Sequence, residues 1–184
     1  MRDLRPYAGI AAPAAFIGAW VTGGLLRDDG YSPVRDAISR LAETGQPTAP
    51  LMTAGFVGFG LLAPVAAFAL QDRGARLAVI TTGVGTLGVA ALPLSAAGGM
   101  PVDTWHAVAA GIAYAANVAA PSLAARRLPS ARARRASYAL SAAIAGCLVA
   151  SLALEEQTGL FQRAGLTLFD AWLVGTCVHL LRRR

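Results

Sequence analysis

The sequence predicts an all-α fold, an integral membrane bundle of six transmembrane helices with a short amphipathic helix between the first and second spans. Hydrophobic residues make up 55% of the 184 residues and charged residues only 14%, against roughly 25% charged residues in soluble domains. The mean hydropathy is +0.53. A transmembrane helix needs about 20 mostly apolar residues, and six successive segments have nearly that length, at 7–26, 51–70, 77–96, 102–124, 137–154 and 164–181.

The connections between these spans predict one bundle rather than several domains. The second and third spans are joined by "QDRGAR", and the third and fourth by "AGGMP". Such short connections make neighbouring helices antiparallel, so we expect residues 1–184 to form a single transmembrane helical domain. The first apolar run lacks a polar segment with a small-residue cleavage site after it, and we interpret it as an uncleaved span.

The arginines predict the orientation of the bundle. All sixteen basic residues are arginines, and they cluster at the ends of apolar runs, as in the cytoplasmic flanks of membrane helices. Twelve lie on the side of the termini and four on the other side. We therefore expect a multi-pass protein of the bacterial inner membrane with both termini in the cytoplasm. No nucleic-acid partner is expected, because no basic and aromatic stripe is present to bind one.

Glycine patterns inside the spans indicate close helix packing. "GFVGFG" begins at Gly55 and "GVGTLG" at Gly83. The second has the spacing of a dinucleotide-binding loop, but that motif needs a preceding strand in a soluble βαβ unit. Inside a span, small residues instead let two helix backbones approach each other. We expect no cofactor.

The connection "YSPVRDAISRLAETG" has the features of a short helix. Ser32 is a good N-cap and Pro33 suits the first helical position, while Gly45 suits the position after the last turn. An apolar stripe has the spacing i, i+3, i+4 and i+7, at Val34, Ala37, Ile38 and Leu41. Two interpretations stay open. The helix either rests on the outer leaflet with its charges in water, or covers the outer mouth of the bundle with Arg35, Asp36 or Ser39 turned inward.

Polar residues within the spans favour a covered cavity. Asp103 and His106 lie at i and i+3 in the fourth span, and about 100° of rotation per residue puts Asn117 on their face and Tyr114 beside it. Glu155, just after the fifth span, aligns with serines of that span, and Arg163 aligns with Asp170 along the sixth. By the predicted orientation, most of these groups lie near the outer end, beneath the candidate lid.

Asp170 is the most informative single residue. It lies six positions inside the sixth span, about 9 Å deep at 1.5 Å per residue, where an uncompensated carboxylate costs several kcal/mol. It therefore has to be paired, protonated or hydrated. Two interpretations stay open: a structural role, as an ion pair with Arg163 or a hydrogen bond that ties helices together, and a catalytic or ligand-binding carboxyl group.

Nothing in the sequence favours a metal site. The two histidines are predicted at opposite membrane faces, and neither an H-x-x-x-H pattern nor a cluster of cysteines is present. Ser39, His106 and an aspartate could also meet as a triad, although no nucleophile-elbow sequence marks the serine.

Three motifs together resemble a known family. They are "YSPVRDAISRLAETGQPTAPLM" after the first span, "DTWHAVAAGIAYAANVAAPSLAARRL" in the fourth, and "GLFQRAGLTLFDAWLV" leading into the sixth. In this order they resemble DUF998, a family of small bacterial integral membrane proteins. The resemblance implies about six membrane helices and no catalytic assignment. The matching positions are Pro33, Arg35, Asp36, Ser39, His106, Pro121, Gln162, Arg163 and Asp170.

The residues favour an outward-facing cavity that binds a lipid-like or isoprenoid molecule and transforms it by acid–base chemistry. A metal-independent cyclase or isomerase, similar in physical design to small membrane terpene cyclases, would use Asp170 or Asp36 as the acid and Glu155 or His106 as the base. Expected binding residues are Arg35, Ser39, Asp103, Tyr114, Asn117 and Arg163, with Trp20, Trp105 and Trp172 facing a cation.

Two alternatives remain open at this point. One is a membrane transporter, although no internal repeat is visible and a homodimer would have to supply the missing half. The other is an accessory or structural subunit, in which the polar residues only fix the helix register. The sequence alone does not decide whether a reaction occurs.

Overall fold

The computed structural model describes residues 3–182, and within that range the chain is all-helical, as predicted. Six of its helices are long and apolar enough to cross a membrane. They are α1 (Arg5–Leu25), α2 (Ala49–Ala67), α3 (Arg73–Ala91), α4 (Pro101–Ala125), α5 (Ala131–Ala153) and α6 (Thr158–Arg182). Arg2, Arg183 and Arg184, which contribute to the predicted orientation, lie outside the described residues.

The last two helices begin about six residues earlier than the apolar runs predict. Ser130 caps α5 by accepting a 3.0 Å hydrogen bond from the backbone amide of Ala133. The helix therefore includes an arginine-rich turn that hydropathy alone assigns to a connection. Because α6 starts early, its first turn extends past the apolar region. There it hydrogen-bonds to the segment that precedes α2.

The six helices form a closed ring. Each helix packs against its neighbour in the chain, α6 returns to pack against α1, and α4 also contacts α6 directly. The α4–α6 contact leaves α5 on the outside. One end of the ring carries the connection between α1 and α2, here called the covering segment (residues 26–48). The opposite end carries the connections α2–α3 and α4–α5 and is here called the arginine-rich end.

The predicted role of the span glycines in close packing is confirmed. A Cβ atom added at Gly83 would lie 2.5 Å from Cδ of Pro64 and 2.9 Å from the carbonyl oxygen of Gly60. At Gly85 it would lie 2.9 Å from Cβ of Ala113. These glycines hold α3 against α2 and α4 at backbone distance.

We expect Gly83→Ala to lower the free energy of unfolding by about 1–3 kcal/mol, because the added methyl group overpacks a contact with backbone and a proline ring. Gly111→Ala is the matched control, since a Cβ there meets no atom of residues 3–182 within 4 Å. It should be neutral or slightly stabilising through helix propensity. Thermal unfolding in detergent micelles measures both, and equal effects would contradict the packing role.

The short helix predicted between the first two spans is present, but it is a 3-10 helix and not a continuous α-helix. A single turn at residues 33–36 is followed by extended backbone at Ala37, with ψ 150°, and then by a 3-10 helix, Ile38–Ala42. Gly45 does adopt the expected positive φ, +89°, but in a turn beyond the 3-10 helix. The cause is competition for hydrogen bonds, since α6 takes the carbonyl groups that a continuous α-helix would need, as described below.

The apolar stripe of this segment is correct in part. Ile38 and Leu41 are fully buried, whereas Val34 is 47% exposed. The segment therefore packs its second half into the mouth of the ring instead of resting on its surface. Of the two interpretations that the sequence leaves open, the structure has the one in which this segment covers the bundle.

Candidate functional site

A cavity lies inside the ring beneath the covering segment. Its volume is about 50 Å³, and because one water molecule needs roughly 10–15 Å³ by this measure, it has room for only a few heavy atoms. Its apolar wall combines aliphatic side chains with four phenylalanine rings, those of Phe16, Phe56, Phe59 and Phe169. The polar groups that line it are Ser39, Thr82, Thr86, Tyr114, Asn117, Gln162 and Asp170. A small polar set in an apolar wall is typical of ligand sites.

Asp170 brings the only carboxyl group that lines this cavity within the described chain. The residue is 3% exposed, and Oδ2 has no hydrogen-bond partner among residues 3–182. An unpaired carboxylate in such surroundings costs several kcal/mol, so the neutral acid is the favoured form. Its cavity-facing group is able to donate a proton to an occupant.

The ion pair between Asp170 and Arg163, one of the structural interpretations of the sequence, is not formed. The two residues are seven positions apart on α6, which is about 10 Å along the helix axis. Arg163 instead turns toward the covering segment, where Nη1 donates to the carbonyl oxygens of Pro33 at 2.7 Å, Asp36 at 2.9 Å and Gly159 at 3.0 Å. The interpretation of Asp170 and Arg163 as a structural ion pair is therefore wrong.

Arg163 is held on its other side by aromatic rings. Nη2 donates a short hydrogen bond to the hydroxyl group of Tyr31, and the guanidinium group lies 5.4 Å from the ring centroid of Trp20. Burial raises the pKa of the Tyr31 phenol above its ordinary value, against the effect of Arg163. Tyr31 therefore stays a neutral hydroxyl group that can accept this bond. Trp20 stacks on a protein cation instead of facing a substrate cation.

The first turn of α6 holds the backbone of the covering segment as well. The amide of Leu160 donates to the carbonyl of Val34 at 2.8 Å, and that of Gly159 donates to the carbonyl of Arg35 at 3.2 Å. The amides at a helix N-terminus have no partner within the helix. These two hydrogen bonds therefore satisfy the first amides of α6 and the carbonyl groups of the covering segment together. With the two bonds of Arg163, all four carbonyls of residues 33–36 are bound by α6.

Glycine is required at position 159 for this contact. A Cβ atom there would lie 2.6 Å from the carbonyl oxygen of Pro33 and would also collide with that of Asp36. Gln162 also binds α6 to the covering segment, because its Oε1 accepts a 2.6 Å hydrogen bond from the amide of Ile38. The amide nitrogen of Gln162 is then the end that remains to donate to an occupant of the cavity.

Ser39 and His106 meet at the top of the cavity. Nε2 of His106 lies 2.9 Å from Oγ of Ser39, and Nδ1 lies 2.7 Å from the carbonyl oxygen of Leu92. A carbonyl can only accept, so Nδ1 carries the proton and, in the neutral ring, Nε2 accepts from the serine hydroxyl. A backbone carbonyl takes the orienting position that the sequence-based triad gave to an aspartate.

The polar groups lower in the cavity are oriented by neighbours. Thr82 donates to the side-chain carbonyl of Asn117 at 2.7 Å, which leaves the Asn117 amide nitrogen to donate to an occupant. The hydroxyl group of Tyr114 makes a long 3.3 Å bond to the backbone carbonyl of Gln162. Of the predicted polar face of α4, His106, Asn117 and the adjacent Tyr114 are buried, whereas Asp103 at the start of the helix is only partly buried.

Two predicted catalytic carboxylates lie elsewhere, and their assignment is corrected. Asp36 accepts from the amide of Ser32 at 2.7 Å and pairs with Arg35 at 3.1 Å. Burial raises the pKa of Asp36, but the bonds from Arg35 and Ser32 outweigh it, so the pKa lies below its ordinary value. Such a group is a poor proton donor. Glu155 is exposed in a 3-10 helix before α6 and does not line the cavity.

Four predicted binding residues also have other roles. Asp103 caps α4 by accepting from the amide of Met100 at 3.0 Å, and it also accepts from the amide and hydroxyl of Ser95 at 2.8 and 2.7 Å. Trp105 is 62% exposed. Trp172 packs against Phe169 at 5.7 Å and does not line the cavity, and Arg35 is an exposed partner of Asp36. The cavity therefore unites Ser39, Tyr114, Asn117 and Asp170 directly, with His106 behind Ser39 and Arg163 at the rim.

The sequence reasoning missed Gln162, Thr82 and the four phenylalanines as cavity residues. Phe56 and Phe59 share a face at i and i+3 and could have been found from that spacing, whereas Thr82 needs the packing of α3 on α4 to become visible. Among residues 3–182, no three His, Cys, Asp or Glu side chains are grouped so as to hold a metal ion.

A protein-family model matches most of the chain. The model of a family described as "Protein of unknown function (DUF998)" matches residues 10–179, in agreement with the resemblance carried by the three motifs. No curated protein and no solved structure matches the chain significantly.

Proposed function

Because the chain belongs to the DUF998 family, whose function is unknown, we propose a function from the cavity itself: an intramembrane enzyme that transfers protons on the reactive end of a lipid-like, isoprenoid-type molecule. The observation that carries the proposal is Asp170, a carboxyl group unpaired within the described chain and set in an aromatic cavity. A buried ionisable group of this kind lowers the stability of a membrane protein, so its presence indicates a functional site.

The size of the cavity limits the reaction. Sites that enclose whole drug-sized ligands measure about 300–1,000 Å³, whereas this cavity measures about 50 Å³. One isoprene-like end of a chain is the largest unit that the closed form can hold. Migration of a double bond at that end therefore fits better than cyclisation of a whole isoprenoid, which requires displacement of the covering segment.

Acid and base lie at opposite ends of the cavity in this proposal. Asp170 gives its proton to one carbon of a double bond, and the cation that forms loses a proton from the neighbouring carbon to Oγ of Ser39. The serine passes its own hydroxyl proton to Nε2 of His106, with which it is bonded at 2.9 Å. The double bond has then moved, no proton is gained or lost overall, and exchange with water returns the proton from His106 to Asp170.

The phenylalanine rings support the cationic stage. Phe16 lies with its ring centroid 5.8 Å from that of Phe56 and 5.6 Å from that of Phe59, and all three line the cavity. Ring faces attract a cation, and more strongly where water is excluded. The proposal thus assigns to phenylalanines the role that the sequence analysis gave to tryptophans.

The proposal includes a membrane orientation. By the arginine count, the arginine-rich end faces the cytoplasm and the covering segment faces outward, in a bacterial inner membrane. Substrate then enters from the outer leaflet, either past the covering segment or between helices.

The Ser39–His106 pair favours a second candidate, acyl transfer. A serine hydroxyl bonded to an oriented imidazole is the arrangement of an activated nucleophile. Oγ of Ser39 would bond to the carbonyl carbon of a small ester, its proton would pass to His106 and then to the leaving alkoxide, and water would release the acyl group. A small serine-directed sulfonyl fluoride distinguishes the candidates: stable modification of Ser39 that is lost in His106→Asn favours acyl transfer, and its absence favours proton transfer.

Mass spectrometry of small molecules extracted from the purified protein tests the main proposal. Wild type should retain a defined lipid-like molecule that Asp170→Asn loses or holds as an altered species, at matched folding. Asp28→Asn is the control, because Asp28 is exposed and also lies in the covering segment. Identical bulk lipid in all three proteins would contradict the proposal and favour the accessory role. Uptake into liposomes that depends on a pH gradient would favour the transporter.

A further inference from the structure

A second cavity opens at the arginine-rich end of the ring, away from the proposed site. Its volume is about 180 Å³, which by the same measure of roughly 10–15 Å³ per water has room for a phosphate group and the atoms bonded to it. Its walls come from the α2–α3 connection, the α4–α5 connection and the last turns of α6. The proposed acid–base reaction makes no use of it.

One guanidinium group lines this cavity, and two more bind carbonyl groups of its wall. Arg127 lines it directly. Arg134 donates to the carbonyls of Leu128 at 3.1 Å and Pro129 at 3.2 Å, and Arg76 donates to that of Leu70 at 2.8 Å. Leu128, Pro129 and Leu70 all line the cavity, so the backbone hydrogen bonds hold both side chains at its border.

The negative charge at this cavity is smaller than the positive charge. Asp72 lines it, but one of its oxygens caps α3 through the amide of Ala75 at 2.9 Å. Its other oxygen lies 3.7 Å from Nε of Arg127, which is 70% exposed. Among the described residues, Arg127 on the wall, together with Arg134 and Arg76 bound to carbonyls of the wall, outnumbers this one carboxylate, and His179 is an additional donor on the wall.

The remaining wall is apolar. Leu70, Leu128 and Leu180 line the cavity beside the polar groups, at the ends of helices long enough to cross a membrane. Phospholipid headgroups lie at this level in a bilayer. A phosphodiester with the start of its acyl chains has this same combination of charge and apolar surface, whereas a free phosphate ion would leave the leucines uncovered.

We propose that this cavity binds the phosphate of an anionic phospholipid, with Arg127, Arg134 and Arg76 around the headgroup and the leucines against the glycerol and upper acyl chains. Basic pockets between membrane helices bind anionic lipid headgroups in this manner. The site is independent of the acid–base cavity, and neither proposal requires the other.

Native mass spectrometry of the protein released from nanodiscs tests the site. With equal amounts of phosphatidylglycerol and phosphatidylcholine, wild type should retain phosphatidylglycerol selectively. Arg127→Gln should weaken its retention about five-fold, and the double variant Arg127→Gln/Arg134→Gln about 25-fold. Each factor corresponds to the binding free energy that one arginine contributes near an anionic membrane surface. Arg132→Gln/Arg135→Gln is the matched control, because it removes the same charge from exposed positions on α5 that neither line the cavity nor, unlike Arg134, donate to carbonyls of its wall.

The control should stay within about two-fold of wild type. Equal losses in the two double variants would overturn the proposal, since they would show only a general attraction of charge. Equal retention of both lipids by wild type would also overturn it. In a further arm, inorganic phosphate is added: displacement of phosphatidylglycerol at millimolar phosphate would indicate an ion site and overturn the lipid assignment, whereas retention supports it. Thermal unfolding of every variant confirms matched folding.

Discussion

Arg163→Met is expected to release the covering segment from α6 and to lower the free energy of unfolding by about 2–4 kcal/mol. The guanidinium group donates to the carbonyls of Pro33 and Asp36 in that segment and to the hydroxyl of Tyr31. Methionine fills a similar length but donates nothing. Each buried acceptor left without a partner costs about 1–3 kcal/mol, and relief from burying the guanidinium charge offsets part of that loss.

Hydrogen exchange locates the effect. The amide of Ile38, bonded to Gln162, and the other amides of the 3-10 helix should lose protection in Arg163→Met before the membrane helices do. Arg35→Met is the matched control, because that side chain is 48% exposed and pairs only at the surface, where an ion pair contributes about 1 kcal/mol or less. Equal protection of Ile38 in the two variants would show that Arg163 does not hold the segment.

Asp170→Asn has the largest expected effect on function, a loss of turnover of about 10²–10⁴-fold, the usual contribution of one positioned acid. The amide has nearly the same size but cannot donate a proton to carbon. The free energy of unfolding should change by less than about 1 kcal/mol, because Oδ2 has no hydrogen bond in residues 3–182 to lose.

A structural role for Asp170 predicts the opposite pattern. If the carboxyl group tied helices together, the asparagine variant would unfold about 1–3 kcal/mol more easily and would keep any ligand or activity. Chemical denaturation in mixed micelles, compared with Asp28→Asn, separates the two. Asp170 forms neither an ion pair nor a hydrogen bond with Arg163, so the covering segment should stay in place in Asp170→Asn. Both outcomes can therefore be measured with that segment folded.

The membrane bundle could be predicted from the sequence because it depends on quantities that the sequence contains directly. Runs of about 20 apolar residues are enough to place α1, α2 and α4 within three residues of their observed bounds, and α3 within five. Hydropathy could not place the first turns of α5 and α6, because arginines and a polar cap continue a helix beyond the apolar region. The glycine at position 83 was predictable as a packing residue, but not its partner, Pro64.

The covering segment shows where local pattern fails. Ser32, Pro33 and Gly45 are good helix signals, yet α6 competes for the carbonyls of residues 33–36 through contacts about 125 positions away in sequence. A helix signal only ranks local alternatives and does not include such a competitor. The buried positions Ile38 and Leu41 were nevertheless predictable, because burial of an apolar side chain is favoured in either backbone form.

The sequence was enough to predict several residues of the candidate site, but not which of them contact one another. Helical spacing placed His106, Tyr114 and Asn117 on one buried face, and depth alone marked Asp170. Charge attraction suggested Arg163 as the partner of Asp170, but the nearer backbone carbonyls of the covering segment satisfy it instead. The contact of Ser39 with His106 depends on the way the segment folds over the ring, which no local spacing specifies.

Deuterium incorporation tests the proton-transfer proposal most directly, because the label reports the reaction on whichever lipid is the substrate. Membranes containing the wild-type protein are incubated in deuterium oxide with a total extract of isoprenoid and other neutral lipids, and the lipids are then surveyed by mass spectrometry. Proton transfer from Asp170 predicts one lipid species that gains deuterium at carbon with wild type and with Asp28→Asn, but not with Asp170→Asn. Incorporation that is equal in wild type and Asp170→Asn, or absent from wild type, would contradict it.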